Sequence, residues 1–120
     1  LISKKSNFHI ICNPTSLISL MQESIIGIIT FGITVYESAI CCLPTLVISH
    51  SNENNESAKL VEKYGFISYI EKYDKINYDK FVKNLLDLIN DKKELQKMKK
   101  ACSEIDGLGP HRVAEYIKKL

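Results

Sequence analysis

Tryptophan is absent from this 120-residue chain, and proline (3), methionine (2) and glycine (5) are scarce. So little proline and glycine excludes a collagen-like or low-complexity chain. An excess of one charge is lacking too: 16 Lys and Arg against 14 Asp and Glu leave a net charge of +2. That balance gives no electrostatic footprint for nucleic acid or for an anionic membrane. The lysines of residues 91–100 read instead as the solvated face of a helix. The four cysteines, Cys12, Cys41, Cys42 and Cys102, form no C-x-x-C pair and have no histidine at zinc-finger spacing. No metal and no cofactor is therefore expected. Thiols in apolar surroundings read as buried structural residues in a reducing cytoplasm. No leader-like apolar segment is visible, and residues 25–30 fall far short of the ~20 apolar residues a membrane span needs. The chain starts without methionine, so a longer parent protein is expected.

What remains is ordinary for a globular domain: 45% hydrophobic and 25% charged residues, with Ile, Leu and Val in short runs. Those runs alternate with segments of helical periodicity. Residues 8–12, 25–30, 45–49 and 66–70 read as strands. Helices are expected from Pro14 or Thr15 to Glu23, and over residues 33–42 and 56–64. Three more follow the last strand, over residues 78–89, 92–103 and 111–119. Gly65 suits a left-handed helix terminus, and Pro110 suits a first helical turn. This order predicts one α/β domain over residues 1–120, Rossmann-like, with about four parallel strands and helices on both faces. Residues 25–30 should lie beside residues 45–49.

Ligands of open parallel sheets bind beyond the carboxyl ends of the strands. Two expected loops fall there. In the first, Gly32 would let the backbone approach a ligand closely. Ile33 and Thr34 follow at a helix start, where free amides favour phosphate. Glu37 lies one turn on, and its carboxylate suits a ribose diol. A plain strand-to-helix turn explains the same residues. The second loop, residues 50–55, offers His50, Asn52, Asn54 and Asn55 to sugar hydroxyls and amides. A solvated loop whose Asn or Ser caps a helix is the other reading. His50 has no nucleophile beside it and reads as a loop histidine. In Asp106-Gly-Leu-Gly-Pro-His-Arg112, Asp106 could pair with Arg112 or cap the last helix, and Arg112 could reach an anionic ligand.

These pieces, in this order, resemble a family of sugar-nucleotide enzymes of the two-domain GT-B architecture. It includes the UDP-sugar hydrolases of pseudaminic acid synthesis and the spore coat polysaccharide biosynthesis proteins. The resemblance rests on Phe31-Gly-Ile-Thr-Val-Tyr-Glu37, on Leu43-Pro44, on residues 52–58, and on the D-G-x-G-x-x-R segment ending at Arg112. The Phe-Gly-Ile-Thr form is closer to the spore coat type. The resemblance implies a partial carboxy-terminal GT-B domain that binds a UDP-sugar. Gly32, Ile33 and Thr34 would meet the diphosphate, Glu37 the ribose, and residues 52–55 the sugar. The family's Gln or His corresponds here to Asn54 or Asn55, and an Asp common before the second strand is Ile25. The family's amino-terminal domain, with the hydrolase's catalytic histidine, has no counterpart in these residues. No catalytic residue is therefore assigned, and the parent's amino-terminal domain is an expected partner, with a homodimer through an exposed sheet edge as a further one. An interaction domain that kept the fold and lost the site is the alternative.

Overall fold

The structure is a computed structural model and describes residues 7–120. Its centre is a three-stranded parallel sheet of β1 (Gly27–Thr30), β2 (Thr45–Ser49) and β3 (Ile67–Lys72), in the order β1-β2-β3. The parallel sheet and the adjacency of β1 and β2 are as the alternating pattern implied. β2 is central and almost wholly buried, as its apolar run requires.

Among the described residues six α-helices accompany the sheet: α1 (Ile18–Glu23), α2 (Thr34–Ile40), α3 (Asn52–Glu62), α4 (Tyr78–Asn90), α5 (Lys92–Cys102) and α6 (Gly109–Ile117). Successive side chains of β2 point to opposite faces. Val47 packs with Val35 and Ala39 of α2, Ala58 of α3, Phe66 and Cys102. Leu46 packs on the other face with Leu88 of α4 and Met98 of α5, flanked by Phe81, Leu85 and Leu95. The buried hydroxyls are satisfied locally. Thr45 donates to the Leu43 carbonyl at 2.8 Å, and Ser38 donates to the Val35 carbonyl at 2.8 Å. Asn77 and Asp91 cap α4 and α5. Gly65 takes the expected left-handed conformation, φ 81°.

Four expectations need correction. Residues 8–12 form no strand, so the sheet has three strands rather than four. A strand holds only by pairing its backbone. These residues lie outside the sheet, with Phe8, Ile10 and Ile11 exposed. β1 starts at Gly27, not Ile25, because the ladder opens with the Gly27 amide donating to the Pro44 carbonyl at 2.9 Å. The preceding rung would need an N–H from Pro44, which proline lacks. The loop expected over residues 50–55 stops at Ser51, whose hydroxyl accepts the Asn54 amide at 3.2 Å and starts α3 at Asn52. Of the cysteines, Cys102 alone is buried. Cys12 lies in the unpaired segment and is exposed, Cys41 is half-buried, and Cys42 is turned outward at φ 54°. No described helix is long and apolar enough to cross a membrane.

Candidate ligand site beside the carboxyl edge of the sheet

β1 runs into Phe31, Gly32 and Ile33, and α2 begins at Thr34. Gly32 is not in the left-handed region, and a Cβ built on it would meet nothing within 4 Å. The chain's own geometry thus does not demand glycine there, whereas a ligand pressed against the backbone would. The amides of Val35 and Tyr36 already donate to the Gly32 and Ile33 carbonyls, at 3.1 and 2.9 Å. An anion at this end would have to use the amides of Gly32, Ile33 and Thr34.

One face of α2 lines a cavity of about 370 Å³. Ile33, Tyr36, Glu37 and Ile40 form one wall, and the α5–α6 hinge with Arg112 forms the other. Pieces of two motifs far apart in the sequence therefore meet: Ile33 and Glu37 with Arg112. The hinge is held by its own chemistry. Gly107 sits at φ 70°, and an added Cβ would lie 3.3 Å from Ile40 Cδ1. Arg112 grips Asp106 with both ends of its guanidinium, at 2.7 and 3.0 Å, and the Leu108 amide donates to Asp106 at 2.9 Å. The Arg112 hydrogen bond, with the Leu108 amide next, pulls the Asp106 carboxyl down to about 2. Asp106 in turn raises Arg112. So of the readings left open for this segment, the Asp106–Arg112 pair forms. The cavity carries the carboxylates of Glu37, Glu104 and Asp106 against the single guanidinium of Arg112. Its charge suits hydroxyls better than phosphates.

A larger cavity, about 500 Å³, shares Glu37 and Ile40 with it and lies against α1 and the turn before α1. Glu37 lines it too, but no other motif residue does. The smaller cavity is where the motif residues converge.

The asparagines behave differently. Asn54 donates its side-chain amide to the Phe31 carbonyl at 3.3 Å and lies 3.2 Å from His50 Nε2, tying the β2–α3 loop to the β1–α2 turn. Asn55 accepts the Tyr69 hydroxyl at 2.6 Å, and Tyr69 Oη lies 2.9 Å from the buried Ser49 Oγ. With the tyrosine proton given to Asn55, Ser49 donates to Tyr69. Asn52 is exposed at the first turn of α3. His50 and Asn54 thus sit beside the Phe31–Gly32 turn, and none of His50, Asn52, Asn54 and Asn55 lines the cavity. Tyr36, Ile40 and Ile105 escaped the sequence reading as cavity residues. The spacing of Ile33, Tyr36, Glu37 and Ile40 on one helical face was the available signal. Among the described residues, no three His, Cys, Asp or Glu side chains gather as metal ligands would.

Compared with protein-family models, with curated proteins and with solved structures, the chain matches none of them.

Proposed function

We propose that this chain is the nucleotide-sugar-binding part of a GT-B-type enzyme of glycan biosynthesis, with a UDP-sugar as ligand and no catalysis of its own. The parent would be a hydrolase or glycosyltransferase in the cytoplasm, completed by an amino-terminal domain. One observation carries the reading: Ile33, Glu37 and Arg112, which belong to separate pieces of the family-like pattern, line a single cavity. Ligand pockets span roughly 300–1,000 Å³, so this one has room for a nucleoside rather than a whole nucleotide-sugar. Glu37 would take the ribose diol, with Tyr36 and Ile33 against the base. The diphosphate would lie outside, on the backbone from Gly32 to Thr34, away from the carboxylates. The sugar would extend toward His50 and Asn54. Asn52 and Asn55 have no part in this arrangement.

Calorimetry with UDP and UDP-N-acetylhexosamines tests it. Weak saturable binding without turnover is expected. A folded chain that gives no heat at millimolar ligand contradicts it.

A second reading is an interaction domain that keeps the fold without the ligand. The surplus of carboxylates in the cavity and the internal use of Asn54 favour it. It predicts that Glu37→Ala leaves every measurable property intact.

A further inference from the structure

We propose that a second copy of this chain pairs with the open edge of β1, antiparallel across a twofold axis, to join two three-stranded sheets into one. The backbone groups of β1 face two ways. The amides of Gly27 and Phe31 donate to Pro44 and Ile48 of the β2 side, both at 2.9 Å. Backbone groups alternate along a strand. The N–H and C=O groups of Ile26, Ile28 and Thr30 therefore point away from β2. Among the described residues nothing pairs with that side, because β1 ends the sheet.

The two edges of the sheet are built differently. β3 carries a register shift opposite Val47 and Ile48, with Ile70 as the extra residue. It ends in Glu71 and Lys72, and Lys72 pairs with Asp74 at 3.3 Å. Bulges and charges of this kind discourage pairing at an edge. The β1 edge has neither. Residues 25–30 read Ile-Ile-Gly-Ile-Ile-Thr, without charge or proline, a composition that favours strand pairing. Ile25 is 65% and Ile28 47% exposed.

Neutrality and self-complementarity select the occupant. An oppositely charged partner has nothing to read on this edge. A second β1 does: with the axis at Ile28, each Ile28 donates to and accepts from its mate, and Ile26 exchanges hydrogen bonds with Thr30 of the other copy. Every outward group is then paired, and no like charges meet. Such self-matching is what a twofold interface requires.

Sedimentation velocity under reductant tests this, the reductant preventing links through exposed Cys12 and Cys42. The wild-type chain should shift from monomer to dimer as its concentration rises through the micromolar range. Ile28→Lys sets two lysines face to face and should weaken the dimer at least tenfold, with an unchanged circular dichroism spectrum. If that variant misfolds, Thr30→Lys replaces it, with the same expectation. Ile10→Lys, in the unpaired apolar segment, should dimerise like wild type. A chain monomeric throughout overturns the proposal, as does a dimer indifferent to the β1 lysines. Loss of the dimer in Ile10→Lys would assign the edge to residues 8–12 and overturn it equally.

Discussion

Glu37 and Asn55 were both expected to face a ligand, and the fold treats them in opposite ways. Glu37 stands exposed on α2 between two cavities, opposite the Arg112 hinge. Asn55 turns inward and closes a chain of hydrogen bonds through Tyr69 to buried Ser49. On the cavity side Arg112 and Asp106 hold each other, while the Glu37 carboxylate has no hydrogen-bond or ion-pair partner among the described residues. The α3 side has invested its polar groups in holding two loops and two strands together. A polar residue beyond a strand end is thus a ligand candidate only when the scaffold leaves it uncommitted, which residue type alone does not reveal.

That contrast can be broken most forcefully from the α3 side. Asn55→Ala removes the acceptor of the half-buried Tyr69 hydroxyl, which keeps only Ser49 as a partner, and a polar group left unpaired away from water costs about 1–3 kcal/mol. The thermal midpoint should fall by roughly 5–15 °C, with UDP affinity unchanged in the folded protein. Calorimetry after a melting curve checks both. A change in affinity without loss of stability would reverse the assignment of Asn55.

Next comes the hinge. Gly107→Ala forces a Cβ into the left-handed region, at about 1–2 kcal/mol, and against Ile40. It should lower stability and UDP affinity together, because Ile40 and the hinge share the cavity. Equal melting curves for wild type and variant would show that the left-handed geometry at Gly107 is not required.

The smallest effect is electrostatic. The folded-state pKa of Asp106 is depressed to about 2. Its contribution is therefore complete above the ordinary carboxylate value of ~3.9, and it is lost as the pH falls from there through about 2. The pair is solvent-exposed, so the loss should be local. The protection of the Leu108 amide against hydrogen exchange, taken relative to its intrinsic rate at each pH, should fall across that window while the β2 amides stay protected. Asp106→Asn should abolish the pH dependence.

Much of this fold was legible because its signals are local. The apolar run Thr45–Ser49 defined β2 to the residue, and Gly65 and Pro110 marked helix ends through backbone chemistry alone. The failures were non-local. Nothing within residues 8–12 reveals that no partner strand lies beside them, and the missing N–H of Pro44 shortens a strand that lies far upstream, at Gly27. A capping Ser or Asn was one of two readings left open for residues 50–55, and the polar run after Ser51 suits a loop equally. For the candidate site, Glu37 and Arg112 were legible as types. Their shared cavity, and the commitment of Asn55 to Tyr69, depend on tertiary packing.

The most direct test is calorimetric titration of UDP-N-acetylglucosamine into the wild-type chain and Glu37→Ala. Glu37 is exposed and caps nothing, so the variant should fold as wild type does. The wild type should give a saturable heat by millimolar ligand, and Glu37→Ala should lose at least tenfold in affinity, about 1.4 kcal/mol. Equal heats from both proteins, or none from a folded wild type, would contradict this.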